Sequence, residues 1–284
     1  MKILITGFAG FIGSKLTQQL EAEGHQLQLC DIANGIDISN WEVVKTFTDI
    51  DIVIHLANLS FVPASFAQPK NFYQTNYITT LNMLEMCRIQ KARFIYLSSY
   101  MYGTPAYQPI DEQHPLNAYN PYSQSKLICE SLCEGYHRDF QVAITIFRPF
   151  NIYGKGQNPD FLIPTLIRQA LSYEIVIKDD RPKRDYVHID DVVRALSSAV
   201  NNTHASEQMQ IFNLGTGMSY SVKELIDIIQ KLSKKPITYT CLNEIRPNEV
   251  MDTRADITKI KKVLGWEPLI TIEDGISQLL QADE

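Results

Sequence analysis

The chain has 284 residues, 45% of them hydrophobic and 20% charged, and a formal net charge of −6. This balance excludes intrinsic disorder, and the negative charge excludes a general nucleic-acid binder, which needs a basic face to displace counterions. No apolar run reaches the roughly 18 residues of a membrane span, and the first strand begins at residue 2, which leaves no room for a signal peptide; a cytoplasmic protein is expected.

In chain order, the apolar run Ile3-Leu4-Ile5 feeds Thr6-Gly7-Phe8-Ala9-Gly10-Phe11-Ile12-Gly13, and an amphipathic helical pattern follows as far as Gly24. Strand, glycine turn and helix in that order make a pyrophosphate cradle. Glycine permits the tight turn and the close approach of backbone to phosphate, and the first helical turn presents unpaired N–H groups. A second strand over 26–30 closes on Asp31. An acid about 20 residues past the glycines grips the ribose hydroxyls and repels the extra phosphate of NADP, so NAD is the expected cofactor. Taken singly, each feature also fits an ordinary strand-to-helix turn; their common register argues for the dinucleotide.

Strand and helix patterns then alternate: a strand over 51–55, a long helix over 71–88, a strand over 94–98, a helix over 122–138 and a strand over 143–147. This is the α/β rhythm of a doubly wound parallel sheet, in which functional residues gather where strands end. From residue 151 the rhythm loosens into Pro- and Gly-marked loops. A helix over 189–200 and a strand over 210–212 follow, then helices over 221–232 and 256–264 with a strand over 237–240 between them. The expected organisation is a dinucleotide-binding domain over 1–150, with 186–214 returning to it, and a smaller interleaved α/β substrate lobe over 151–185 and 215–284. Five cysteines, odd in number, read as reduced thiols; Cys129 and Cys133 lie one helical turn apart but lack a second ligand pair, so no metal is expected.

Tyr122 and Lys126 stand four apart at the start of a helix and so share one face. A phenol is a poor base at its ordinary pKa of about 10, but a neighbouring ammonium and the positive ring of NAD⁺ favour the phenolate. Tyr122 is therefore the candidate for exchanging a proton with a sugar or alcohol hydroxyl. Ser98 and Ser99 end a strand at the sheet edge that carries the glycine turn, where a hydroxyl can bond the reacting oxygen. A packed tyrosine and a strand-end turn are the plainer alternatives. No histidine and acid are arranged to make either serine a nucleophile, so a hydrolase is not expected.

Together with TGFAGFIG at 6–13, the segments His55-Leu56-Ala57, SSYMYG at 98–103, NPYSQSK at 120–126, RPFNIYG at 148–154, RDYVHIDD at 184–191, FNLGTG at 212–217, RPNEV at 246–250 and LGWEP at 264–268 span nearly the whole chain. In this order they resemble the NAD-dependent epimerase/dehydratase family, extended short-chain dehydrogenases/reductases that act on nucleotide sugars. The resemblance implies a Rossmann fold, NAD, a nucleotide-diphosphate sugar as partner, and a homodimer formed through the helices over 71–88 and 122–138. It implies Gly7, Gly10, Phe11, Ile12 and Gly13 around the pyrophosphate and Asp31 at the adenosine ribose. Asp37 and Ile38 would meet the adenine edge, Leu56 and Ala57 would line the cofactor, and Tyr122 and Lys126 would stand at its nicotinamide end. Asn151, Arg184 and Arg246 would grip the substrate diphosphate, for which a guanidinium fork is apt. Ser98, four residues before Tyr102, is the implied catalytic serine and with Tyr122 would touch the substrate; Ser99 stays open, because the segment is about one residue short of the family's common form.

Dehydratases in the family carry an Asp-Glu pair after this position. Here Tyr100 and Met101 follow the serines, which disfavours elimination. The implied reaction is epimerisation at C4 of an NDP-hexose through a transient 4-keto sugar. The alternatives are an NAD(P)H-dependent reductase of an NDP-4-keto-6-deoxyhexose and, in another class, a non-catalytic NAD(H)-binding regulatory protein. In related epimerases a bulky residue seven positions after the second phosphate-binding arginine excludes N-acetylated sugars; Thr253 at that position would admit a 2-acetamido group.

Overall fold

The computed structural model describes residues 1–202, 209–233, 236–246 and 249–282. The first half runs β1 (Lys2–Thr6), α1 (Phe11–Ala22), β2 (Gln26–Cys30), α2 (Trp41–Val44), β3 (Ile52–His55), α3 (Val62–Ala67), α4 (Pro69–Gln90), β4 (Arg93–Leu97), α5 (Pro121–Phe140) and β5 (Ile144–Pro149). The second runs β6 (Asn151–Tyr153), α6 (Leu162–Leu171), β7 (Glu174–Ile177), β8 (Lys183–His188), α7 (Ile189–Asn201), β9 (Gln210–Leu214), β10 (Ser219–Ser221), α8 (Val222–Leu232), β11 (Thr238–Cys241), β12 (Asp252–Thr253), α9 (Thr258–Leu264) and α10 (Ile272–Ala282). Two compact units result, one of residues 1–103, 116–149 and 193–212, the other of residues 104–115, 150–192 and 213–284.

The first unit holds a six-stranded sheet in the order β2-β1-β3-β4-β5-β9, with β1 to β5 parallel. Strands such as IVIH and ITIFRP are buried along their whole length, as a parallel sheet covered on both faces requires. The chain leaves β1 in opposite directions toward β2 and β3, so the carboxyl ends of these strands form a topological switch point. Register puts Thr6 beside His55 and His55 beside Tyr96, one row across three strands at that edge. Leu4, Val53, Leu84, Phe94, Cys129 and Ile146 belong to one buried core with α4 and α5, which pack on each other. Asn120 starts α5 with a capping box: its side chain accepts from Ser123 N at 2.8 Å, and its own N–H donates to Ser123 Oγ at 3.2 Å.

In the second unit β8 pairs with β10, β12 and β6, while β7 pairs with β11. Ile163, Leu166, Leu225, Ile229 and Ile276 form a core with α6, α8 and α10. Asp185 is fully buried and accepts from Thr216 N (2.7 Å), Thr216 Oγ1 (2.8 Å), Gly217 N (2.9 Å) and Ala255 N (3.1 Å). A Cβ at Gly215 would lie 2.8 Å from that carboxylate, so the FNLGTG glycine is what lets the loop close over the acid.

The stretch read from sequence as loops between 151 and 188 holds β6, α6, β7 and β8, and α10 is a further element that the sequence reading does not include. In α6 the apolar residues 162, 163, 166, 167 and 170 recur at helical spacing, but Pro164 in the first turn, where no donor is needed, disguises the start. In α10 the interior Gly275 breaks the pattern; a Cβ there would come within 2.1 Å of Tyr153 Oη. Residues 104–115, read from sequence with the first domain, cluster with the second unit because Ile110 bridges Ala255 and its N–H donates to Arg254 O at 2.8 Å. Among the described residues no helix is long and apolar enough to cross a membrane.

Candidate active site

The glycine turn is built as a cradle. Gly7 has φ +75°, and a Cβ on it would lie 2.7 Å from Ala57 N; a Cβ on Gly13 would lie 2.2 Å from Gly7 O. Helix α1 follows with Gly10 as an extended N-cap that offers no side-chain bond, so the N–H groups of Phe11, Ile12 and Gly13 begin the helix without a side-chain cap. Such an end attracts an anion. The Asp31 carboxylate accepts from Ala9 N at 3.2 Å and from Ala33 N at 3.0 Å, which fixes it between the glycine turn and the end of β2. Leu56 N donates to Thr6 O at 3.1 Å and Ala57 N to Thr6 Oγ1 at 3.3 Å, so both residues line the switch point. Asp37 is exposed and accepts from Ser39 N at 2.8 Å. The Ile38 side chain, by contrast, is buried in the core, which leaves only its backbone for an adenine edge. The cradle fits a dinucleotide: close backbone, an uncapped helix start and a fixed acid.

The candidate reacting groups stand on the carboxyl side of β4 and in the first turns of α5. Tyr122 is hydrogen-bonded through its side chain to Ser99, not to Ser98. Ser98 N still donates to Phe147 O at 2.8 Å, continuing the strand, and its buried Oγ has no partner among the described residues. Successive side chains alternate across a strand, so the residue after Ser98 is the one presented to Tyr122. Of the two serines that the sequence offers, Ser99, the alternative to the Ser98 counted back from Tyr102, is the one bonded to Tyr122.

The lowered phenol is expected of Lys126 together with the positive ring of NAD⁺; the protein's own groups act on Tyr122 the other way. Burial pushes it up to about 12, against a Ser99 hydrogen bond that pulls it down, with Tyr100 adding to the rise. Lys126 does not counter this, because its ammonium donates to Leu97 O at 2.7 Å and lies 4.7 Å from the centre of the Tyr96 ring. Burial brings Lys126 down to about 8, opposed by Cys129, Glu130 and Cys133.

Beside these groups lies a polar layer in which His55 is joined by Asn58, Asn76 and Thr80, which no local sequence pattern announced. His55 is fully buried, its Nδ1 2.7 Å from Thr6 Oγ1 and its Nε2 3.1 Å from Asn58 Nδ2 and 3.2 Å from Thr80 Oγ1. Asn58 Nδ2 can only donate, so Nε2 accepts and the proton sits on Nδ1. Burial, with Lys126 adding, holds His55 down to about 3, a neutral ring at any working pH. Asn76 bonds Leu59 N (2.8 Å), Leu59 O (3.1 Å) and Ser125 Oγ (2.9 Å), tying α4 to α5 one residue before Lys126.

In the second unit, Asn151 and Arg184 stand on neighbouring strands β6 and β8, and Asn151 Nδ2 donates to Asp185 O at 3.2 Å. Arg184 donates to Lys183 O at 2.8 Å, to Val250 O at 2.5 Å and to the Glu249 carboxylate. Arg246 is exposed in the loop after β11, and its charge acts on Asp179. Pro247 and Asn248 of the RPNEV segment lie outside the described residues. Thr253 is fully buried on β12 opposite Arg184, its Oγ1 without a partner among the described residues.

A family model described as the NAD dependent epimerase/dehydratase family matches residues 3–215. A protein of Methanocaldococcus jannaschii described as a putative UDP-glucose 4-epimerase is 32% identical over 305 aligned positions, covering 98% of this chain and 97% of the relative. The UDP-glucose 4-epimerase of Bacillus subtilis is 31% identical, with 96% and 94% covered. Among solved structures, the UDP-glucuronic acid 4-epimerase of Bacillus cereus in complex with UDP-glucuronic acid and NAD superposes with a TM-score of 0.89 at 30% identity, covering 99% of this chain and all of that one.

Proposed function

The chain belongs to the NAD-dependent epimerase/dehydratase family, and from that premise we propose that it epimerises C4 of a UDP-linked hexose or hexuronate by transient oxidation to the 4-keto sugar. The observation that carries this is the Ser99–Tyr122 hydrogen bond, with Lys126 bonded to Leu97 O at the end of β4, at the sheet edge that also bears the glycine cradle. In this reading the turn at Gly7, Gly10 and Gly13 with the start of α1 at Phe11 and Ile12 holds the pyrophosphate, and Asp31 holds the adenosine ribose. Asp37 and the Ile38 backbone meet the adenine edge, and Leu56 and Ala57 flank the dinucleotide. NAD, when bound, supplies the acceptor and later the donor of the C4 hydride. Tyr122 takes the proton of the 4-hydroxyl and gives it back after the keto sugar has turned. Ser99 bonds the same oxygen as charge develops, Lys126 holds the nicotinamide ribose, and the positive ring of NAD⁺, when bound, would favour the phenolate against the burial that raises Tyr122.

Asn151, Arg184 and Arg246 are the proposed diphosphate ligands, and Arg184 exchanges the Glu249 carboxylate for phosphate oxygens as substrate enters. Tyr100 and Met101 follow Ser99 where an eliminating enzyme needs an acid, which supports epimerisation over dehydration. The test is incubation of the purified protein with UDP-glucose, UDP-glucuronic acid, UDP-N-acetylglucosamine and a dTDP-4-keto-6-deoxyhexose, with and without NADH or NADPH. A C4-inverted sugar nucleotide forming with no added reductant is the expected result. Stoichiometric loss of reduced cofactor on the keto sugar would instead assign a reductase.

The same reading includes a cytoplasmic homodimer built on α4 and α5, which leave Tyr77, Ile89 and Phe140 exposed. Light scattering at micromolar concentration is expected to give twice the mass of one chain; the mass of a single chain would overturn it.

A further inference from the structure

The role proposed for Lys126 leaves open how an amine only 3% exposed keeps both its charge and its aim in an apolar interior. An ammonium has three N–H bonds and no rotational preference of its own. One bond is satisfied by Leu97 O at 2.7 Å, and the Tyr96 ring lies against the nitrogen, 4.7 Å to its centroid. These are consecutive residues of β4, one contributing its carbonyl and the other its side chain. We propose that Tyr96 is a positioning residue, its ring face and the Leu97 carbonyl forming a two-sided seat that holds the charged Lys126 ammonium at the carboxyl end of β4, one helical turn beyond Tyr122.

The ring itself is held from several sides. Tyr96 is fully buried, stacks on His55 (5.8 Å, 19°) and on Phe94 (6.0 Å, 13°), and donates from its hydroxyl to Asn58 Oδ1 at 3.3 Å. Asn58 in turn bonds the His55 ring that Tyr96 stacks on, which closes the loop. A ring so fixed presents one negative face to the amine. The other groups acting around Lys126 do not replace it. Cys129 and Cys133 on α5 are thiols pushed up by burial, His55 on β3 is neutral, Tyr122 is pushed up by burial, and Glu130 on α5 is committed to Arg148 at 2.6 Å.

The inference rests on the reading of Lys126 given above, so its test uses a measurement that does not need turnover. In full-length protein carrying ¹³C-lysine, the Lys126 resonance, identified by its loss in Lys126→Met, is titrated with and without NAD. Tyr96→Phe keeps the ring face and is expected to leave the midpoint within a few tenths of a unit of the starting protein. Phenylalanines bearing one to three fluorines, inserted at position 96, keep the shape while draining the ring's negative face. They are expected to move the midpoint down stepwise, by about one unit at the end of the series, and to carry the alkaline limb of kcat/KM with it. A midpoint indifferent to fluorination would overturn the seat, as would a Tyr96→Phe shift as large as that of the trifluoro ring, which would assign the effect to the hydroxyl. Titrations that follow the fluorine count in a protein that converts no nucleotide sugar would uphold the seat and sink the function.

Discussion

Replacing Tyr122 by Phe is expected to lower kcat by about 10²–10⁴-fold while NAD still binds, because the ring remains and only the proton-transferring oxygen is gone. The half-buried phenol bonds Ser99, so the lost hydroxyl leaves a serine with one partner fewer but opens no large cavity. Fluorescence titration of NAD and thermal unfolding should therefore track the unsubstituted protein while turnover collapses. Unchanged turnover in Tyr122→Phe would remove this residue from the chemistry and revive the reading as a cofactor-binding regulator. Ser99→Ala should cost less, on the scale of one hydrogen-bond donor to a developing charge, and Ser98→Ala should cost little by comparison because its Oγ has no partner among the described residues.

The largest expected effect on stability comes from Glu130→Ala. Arg148 is 3% exposed, and its guanidinium donates to Glu130 at 2.6 Å from Nη2 and at 3.1 Å from Nε, with a further bond of 3.1 Å to Tyr102 Oη. Removing the acid strands a buried cation, which costs roughly 3–5 kcal/mol. Urea unfolding monitored by circular dichroism should show the midpoint falling accordingly, with the slope unchanged. The double replacement Glu130→Leu, Arg148→Met takes away both charges and should recover most of the loss. A single-mutant cost under about 1 kcal/mol would show that Arg148 is satisfied without its partner. The pair joins α5 one turn beyond Lys126 to β5 and, through Tyr102, to the SSYMYG segment, so its loss should also loosen the site.

Much of this was legible before any coordinates. The switch from strand to glycine turn to helix is a local signal, and Tyr122 with Lys126 is local too, four residues on one helix. Ser98 versus Ser99 is harder to read, since counting along the chain does not say where β4 stops alternating, and the bond from Ser98 N to Phe147 O that extends the strand depends on a residue 49 positions away. Tyr96, Asn58 and Asn76 gave no signal at all, because they matter only once β3, β4, α4 and α5 are in register. The lowered phenol expected for Tyr122 rests on an adjacent ammonium and on the positive ring of NAD⁺. In the folded chain that ammonium is turned to Leu97 and Tyr96, and burial wins. Helices α6 and α10 were hidden by Pro164 and Gly275, residues that break a pattern for reasons of position and packing.

The reciprocal bonds between Asn120 and Ser123 bracket Tyr122 within a single turn. That clamp fixes the backbone of Tyr122 before any ligand arrives, so the proton transfer proposed for it is preorganised and forfeits little motional freedom on binding. Arg184, in contrast, already has its guanidinium engaged by Glu249. In the proposed function, adaptation to an incoming nucleotide sugar therefore falls on the diphosphate grip rather than on the rigid hydroxyl chemistry.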